Sequence, residues 1–389
     1  MANEREFDVV LYGATGFTGQ LVAEYYQQAY TNDPAVKVAL AGRSKDKLDG
    51  LNASLGLSLP VLVADGDDEA ALDSLTARTR VVLTTVGPYQ LYGEKLLAAC
   101  VKNGTGYVDL CGEPAWMHQM IDKYGSQAQE SGAAIVFSCG FDSVPFDLGV
   151  YALQQRAMEQ TGAPVKYIKG RVRQMKGRFS GGTAASLKAT MAAAYKDKAV
   201  MKVLKDPFSL ADMAHAHPQP DGNKPYFDEE LGTWVAPFIM ATINTKNIHR
   251  SNYLMGYRYG ETFEYDEMMM TGPGEKGEAM AKHVANDNSL ASDDAPKPGE
   301  GPSKEERETG YYDILFTGKA DNGQTLALSV KGDKDPGYGS TSKMIFECAL
   351  CLSKDVDLKG GFYTPAAAFG DAIITRLTSH AGLVFRVEA

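Results

Sequence analysis

From residue 7 to residue 138, short apolar runs alternate with stretches whose apolar residues recur at helical spacing, and this alternation constrains the fold more than any other feature of the chain. The runs 7–12, 36–41, 59–64, 80–86, 107–110 and 133–138 read as buried strands. The segments 20–30, 45–55, 67–77, 93–103 and 114–131 read as the helices between them. Strands separated by a helix at every gap pair in parallel and are covered on both faces. The pattern changes near residue 150. Residues 165–175 alternate as a strand, 180–194 form an Ala-rich helix, and 253–270 is strand-like and aromatic. Residues 311–317 and 325–330 flank Asp321-Asn322-Gly323, a hairpin turn.

The expected architecture is therefore α/β: an N-terminal Rossmann-type parallel sheet, and a second α+β domain built on a mostly antiparallel or mixed sheet. The first domain spans 1–145. The second spans 146–340, with a polar excursion at 271–309 that reads as mobile. Residues 341–389 read as a helical segment returning toward the first domain.

The first strand runs into Gly13-Ala14-Thr15-Gly16-Phe17-Thr18-Gly19, and a helix follows. In that context the glycines have distinct physical roles: Gly13 permits a tight turn, Gly16 removes a side chain where a diphosphate approaches backbone, and Gly19 lets the helix pack closely. The helix start presents free N–H groups and a positive dipole end to phosphate, so Thr15, Phe17 and Thr18 join the binding set. The second strand ends Ala41-Gly42-Arg43-Ser44. A carboxylate there would hold the two ribose hydroxyls of NAD; Arg43 instead suits the 2′-phosphate of NADP, with Ser44 beside it. Asp65 follows the third strand, near the expected adenine position. Val86-Gly87-Pro88 follows the fourth, at the carboxyl edge where open α/β sheets bind ligands.

These motifs, together with Tyr107-Val108-Asp109-Leu110-Cys111-Gly112-Glu113, Gly140-Phe141-Asp142-Ser143-Val144-Pro145 and Gly360-Gly361-Phe362-Tyr363-Thr364-Pro365-Ala366, resemble the saccharopine dehydrogenase-like oxidoreductases, in particular the branch of trans-acting enoyl reductases. The resemblance covers nearly the whole chain. It implies a Rossmann domain, a second α/β domain, NAD(P) binding and, for that branch, reduction of a carbon–carbon double bond on a carrier-bound acyl chain. It does not by itself fix catalytic residues.

Hydride transfer needs a proton donor and stabilisation of developing negative charge. Tyr89, Tyr92 and Ser143 are hydroxyl donors near the expected sheet edge, and Asp142 is an acid or an orienting group. Asp109 and Glu113 line the cleft or cap the helix at Pro114. The leading reading is an NADP-dependent reductase of an acyl or other hydrophobic substrate, small or carrier-bound. A non-catalytic NADP-binding sensor or scaffold is the first alternative. A saccharopine-dehydrogenase-like amino-acid oxidoreductase is the second; it would need cations for carboxylates, and Arg171, Arg173, Lys176 and Arg178 are the candidates, although alternating cations on a strand more often face water.

The net charge of −10 argues against a nucleic-acid binder. The five cysteines lack a zinc pattern, and Cys348 and Cys351 sit in a helix-like run, so reduced thiols packed in the core of a cytoplasmic protein are expected. His215 and His217 lack a third ligand, so no metal is expected. The longest uncharged stretch, 231–245, is too short and polar to span a bilayer, which leaves peripheral membrane contact open. A homodimer is expected by fold analogy.

Overall fold

The computed structural model describes residues 5–179, 181–212, 217–289, 292, 297 and 299–388. Its strands are β1 (Phe7–Tyr12), β2 (Val38–Gly42), β3 (Val61–Val63), β4 (Thr79–Thr84), β5 (Gly106–Val108), β6 (Ala134–Val136), β7 (Tyr167–Lys176), β8 (Tyr226–Asp228), β9 (Thr233–Pro237), β10 (Glu264–Gly272), β11 (Tyr311–Lys319), β12 (Thr325–Gly332), β13 (Gly361–Tyr363) and β14 (Leu383–Glu388). They form two seven-stranded sheets. The first is parallel throughout, in the order β13-β6-β5-β4-β1-β2-β3. Its first six strands in chain order follow the Rossmann sequence 3-2-1-4-5-6, which reverses direction between β1 and β4 and opens a crevice there.

Both faces of this sheet are covered, as the two-sided apolar runs require. Val9 and Leu11 of β1 pack with the helices Phe17–Tyr30 and Thr341–Lys354, whereas Val10 and Tyr12 pack with the other face's core, which includes Leu72, Leu97 and Met117. Gly19 makes the close approach of the first helix possible: a Cβ there would lie 2.2 Å from the Gly13 carbonyl oxygen and 2.8 Å from Ala14 Cα.

The second sheet runs β14-β12-β11-β7-β10-β9-β8. It is mixed: β7 and β10 are parallel, and the other pairings are antiparallel. The helix Val144–Thr161 crosses from the first sheet and packs on the second through Gly149, where a Cβ would meet the Phe316 ring at 2.2 Å. Its Phe146, Val150 and Leu153 belong to a core continuous with both sheets.

Several local expectations are corrected. The segment read as one strand from 253 to 270 is split: the helix Ala241–Leu254 ends there, a turn intervenes, and only Glu264–Gly272 is strand. The closing segment carries two strands besides its helices. β13 adds to the edge of the first sheet and β14 to the edge of the second, so residues 361–388 fasten both. Arg171, expected to face water, is completely buried; its guanidinium donates to Asp266 at 2.6 Å and to Asp228 at 3.2 Å. All five cysteines are free and buried. His215 lies outside the described residues, and His217 Nε2 lies 2.9 Å from the Phe263 carbonyl. No helix among the described residues is long and apolar enough to cross a membrane.

Candidate active site

A cleft of about 1590 Å³ opens along the carboxyl edge of the first sheet, where the strand order reverses. That exceeds the roughly 300–1,000 Å³ usual for one small ligand, so there is room for a dinucleotide and a second reactant. One end is lined by Gly13, Thr15, Gly16, Phe17, Thr18, Arg43, Asp65, Val86 and Gly87. The lining also includes a set of apolar side chains, Phe179, Leu187, Met191, Phe238, Ile239 and Met240, interspersed with Arg178, Thr183, Ser186 and Thr190.

The glycine turn is built as a cradle. Gly13 has φ +87°, and a Cβ on it would meet Val86 Cγ2 at 2.6 Å. A Cβ on Gly16 would meet only the Gly13 carbonyl oxygen, at 3.3 Å, so protein packing leaves space on the cleft side of that residue. No side chain caps the helix that starts at Phe17, and its first turn carries no acid. These residues fit a diphosphate: uncapped amides, the positive end of a dipole, and clearance above Gly16. Phe17 is held from the other side by the edge of the Tyr338 ring, 5.1 Å away, and by the Arg307 guanidinium, 5.7 Å from its centroid.

Arg43 stands exposed at the end of β2, in the cleft wall, and no carboxylate among the described residues forms an ion pair with it. Lys47 lines the same end, whereas Lys45 is paired with Asp49 at 2.6 Å. Ser44 caps the helix Lys45–Leu55 by accepting from the Lys47 N–H at 3.4 Å. Asp65 closes a local turn by accepting from the Asp67 N–H at 2.9 Å, and its side chain is exposed to the cleft. Thr85, one residue before Val86, donates to the Gly13 carbonyl at 3.3 Å and joins the two loops. Pro88 precedes the short helix Tyr89–Tyr92.

The four candidates for chemistry are placed very differently. Tyr89 is buried; its hydroxyl donates to the Thr84 carbonyl at 3.3 Å and accepts from the Leu110 N–H at 3.0 Å, and burial pushes its ionisation far up. It braces two loops. Tyr92 sits exposed on the cleft rim. Ser143 is buried behind the wall and is not among the lining residues; it donates to the Asp142 carbonyl at 2.7 Å and accepts from Asn247 Nδ2 at 2.6 Å. Asp142 does line the cleft. The residue as a whole is half-buried, and desolvation of its carboxyl raises it to about 6.

Behind Asp142 lies Glu267 of β10, buried and raised to about 8 by desolvation, although it accepts from Tyr265 Oη and Asn244 Nδ2, each at 2.7 Å. Asp109 ties β5 to β6 by accepting from the Ser138 N–H at 2.9 Å and the Cys111 N–H at 3.0 Å. Burial raises it to about 7. The Glu113 carboxylate accepts from the N–H groups of Tyr89 and Gln90, both at 2.9 Å, and from Ser186 Oγ at 2.8 Å. It thus caps the helix at Tyr89 rather than the one at Pro114.

Two features of the cleft escaped the sequence reading. Ser138 lines it with φ +60°, an uncommon conformation for a side-chain-bearing residue, and donates to the Cys111 carbonyl at 2.6 Å. Its place at the end of the sixth strand was the available signal. The other is the roof, made by the helices Gly181–Lys196 and Lys198–Lys205, whose Leu187, Met191 and Leu204 line the cavity. Of the four cations proposed for carboxylate binding, only Arg178 lines the cleft, exposed and 3.3 Å from Glu306; the other three are engaged elsewhere. Besides Arg171, Arg173 pairs with Asp313 at 2.7 Å and Glu388 at 2.6 Å, and Lys176 donates to Thr309 at 3.0 Å.

Comparison with known proteins agrees with this geometry. Residues 9–136 match the model of the saccharopine dehydrogenase NADP binding domain. A Mycobacterium tuberculosis protein provisionally described as a trans-acting enoyl reductase is 41% identical, over 97% of this chain and 96% of its own length. The trans-acting enoyl reductase of Mycobacterium bovis is 37% identical, over 98% and 97% respectively. The structure of apo saccharopine dehydrogenase (L-Glu forming) from Saccharomyces cerevisiae superposes over 98% of this chain and 99% of that one, with a TM-score of 0.53 at 14% identity, and so shares the fold. The chain therefore belongs to the saccharopine dehydrogenase-like oxidoreductases, in the trans-acting enoyl reductase family, and is an NAD(P)-dependent oxidoreductase.

Proposed function

We propose that the cleft binds NADPH and that the protein reduces an activated carbon–carbon double bond of an acyl thioester, free or held on a carrier. The observation that carries this reading is the union, in one cleft, of a diphosphate cradle, an Arg43 with no ion-pair partner among the described residues, and a set of apolar lining side chains. The names of the relatives support the enoyl chemistry. In this division of labour residues 1–145 hold the nucleotide, 146–340 hold the substrate, and 341–389 strap the two.

The bound dinucleotide would supply a hydride at nicotinamide C4. The amides of Phe17 and Thr18 would hold its diphosphate, and Arg43 its 2′-phosphate, by charge-assisted bonds, while the Gly16 N–H closes the turn on the Gly13 carbonyl at 3.0 Å. Phe179, Leu187 and Met240 would exclude water from the acyl chain. Asp142 lines the cleft, and burial raises its proton affinity to about 6, which would let its carboxyl carry and release a proton near neutral pH. Tyr89 and Tyr92 line the cleft as well, but the Tyr89 hydroxyl is engaged by Thr84 and Leu110 and Tyr92 sits at the rim, so Asp142, the one carboxylic acid of the four, would protonate the α-carbon after hydride addition. Internal pairing of Arg171 and Arg173 weighs against an amino-acid substrate.

The test is titration with NADPH and NADH by nucleotide fluorescence, followed by nicotinamide oxidation with enoyl thioesters of increasing chain length. Tighter NADPH binding and turnover that improves with chain length are expected; failure to bind either nucleotide would end this reading. A second reading, a nucleotide sensor without turnover, is favoured by one observation: the hydroxyls of Tyr89 and Ser143 are committed to internal bonds.

A further inference from the structure

The helix Gly181–Lys196 exposes Lys188, Met191, Ala192, Tyr195 and Lys196. Their spacing is that of one helix face, on which Met191, Ala192 and Tyr195 are apolar and are flanked by Lys188 and Lys196. Here the stripe faces solvent: Met191 is 54% exposed and Tyr195 93%. Asp197 then caps the next helix by accepting from the Ala199 N–H at 2.8 Å. That helix, Lys198–Lys205, turns Lys198, Met201, Lys202 and Lys205 outward, while Val200, Val203 and Leu204 are half-buried. Lys246 fastens its end by donating to the Leu204 carbonyl at 2.9 Å.

Among the described residues Lys196, Lys198, Lys202 and Lys205 have no ion-pair partner, on a protein whose net charge is −10. The exposed apolar surface continues across the cleft mouth. Leu91, Tyr92 and Ile239 are exposed and line the same cleft as Met191. Gln90 Nε2 donates to Thr190 Oγ1 at 3.3 Å and joins the two sides.

We propose that this face rests on an anionic lipid bilayer and that the cleft draws its apolar substrate from there. Large apolar side chains ringed by lysines are the composition of an interfacial helix: the tyrosine sits at headgroup depth, and the lysine stems lie along the apolar layer with their ammonium groups among lipid phosphates. Protein-docking surfaces are depleted in lysine at their centres, which makes an acidic protein the poorer fit. With no helix able to span the bilayer among the described residues, the contact is peripheral. This extends the proposed reduction of an apolar substrate by naming its source, but vesicle binding can be read without turnover.

The experiment is co-sedimentation of the full chain with phosphatidylcholine vesicles, with and without phosphatidylglycerol. Binding is expected only to the anionic vesicles, weakening as salt is raised. The triple variant K196Q/K198Q/K202Q should bind about a hundredfold more weakly, from roughly 1 kcal/mol per surface lysine. Tyr195→Asp should bind more weakly still, and both variants should keep wild-type NADPH affinity. Failure of the wild-type protein to sediment with anionic vesicles overturns the proposal, as does retention that ignores both substitutions. Binding of an acidic carrier domain that the lysine variant loses, without vesicle binding, would assign the face to a protein partner instead. Loss of NADPH binding alone would sink the nucleotide reading and leave this one standing.

Discussion

Gly16 and Gly19 belong to the same motif, yet replacing each with alanine should produce opposite defects. At Gly19 a Cβ would lie 2.2 Å from the Gly13 carbonyl oxygen and 2.8 Å from Ala14 Cα, both backbone atoms that cannot swing aside. The helix Phe17–Tyr30 must then back away from β1, at a cost of about 1–3 kcal/mol of overpacking. At Gly16 a Cβ meets only Gly13 O, at 3.3 Å, and φ is −74°, which alanine adopts freely. Its stability cost is that of a poorer helix cap, below about 1 kcal/mol. The added methyl would, however, occupy the clearance assigned to the diphosphate. Losing one charge-assisted bond there costs about 1.5–3 kcal/mol, or roughly 10- to 150-fold in affinity. Urea unfolding and NADPH fluorescence titration, run on both variants, separate the effects. Gly19→Ala should lower the unfolding midpoint clearly. Gly16→Ala should hold its midpoint near wild type and lose NADPH. A Gly16→Ala protein that binds NADPH at wild-type affinity would refute the cradle.

Arg43→Ala should weaken NADPH by about 10- to 150-fold while leaving NADH within about twofold, because only the former carries the 2′-phosphate; an equal loss for both would remove Arg43 from that role. Asp142→Asn should lower kcat by about 10²–10⁴-fold at unchanged NADPH affinity. It should also abolish the decline in wild-type kcat/KM as pH rises through about 6, where the donor loses its proton. A variant that keeps the wild-type pH profile would point to another acid. Glu267 carries a stability prediction. Its folded-state value of about 8 lies above the ordinary 4.5, so its contribution is fully present below pH 4.5 and is lost as pH rises through 8. Glu267→Gln should therefore flatten the fall in unfolding free energy between pH 5 and 8 by up to about 1.4 kcal/mol per pH unit, measured by urea titration at several pH values. Parallel curves would show that Glu267 titrates normally.

What was legible in the sequence was local. The glycine turn, the cation after β2 and each single strand or helix of the β–α alternation are written in one short stretch of chain, because strand period, helix period and turn geometry are short-range properties. What escaped was set by distant partners. Tyr89 reads as a free hydroxyl until Leu110, 21 residues on, donates to it. Ser143 reads the same way until Asn247, 104 residues on, does so. Arg171 alternates with its neighbours like a water-facing cation, but Asp228 and Asp266 approach it from two other strands and make burial affordable. β13 has three residues, too few to show a period, and Gly360 before it lies where a Cβ would be 1.9 Å from the Ala128 carbonyl. Its place in the sheet comes from close packing against the helix Pro114–Ser131.

The most direct test of the catalytic account follows isotope rather than rate. NADPH deuterated at either face of nicotinamide C4 is mixed in turn with the protein and an α,β-unsaturated acyl thioester, and the product is examined by mass spectrometry and NMR. Deuterium should appear at the β-carbon from one face only. Unlabelled product from both, or no product across a range of thioesters despite firm NADPH binding, would contradict hydride transfer in this cleft.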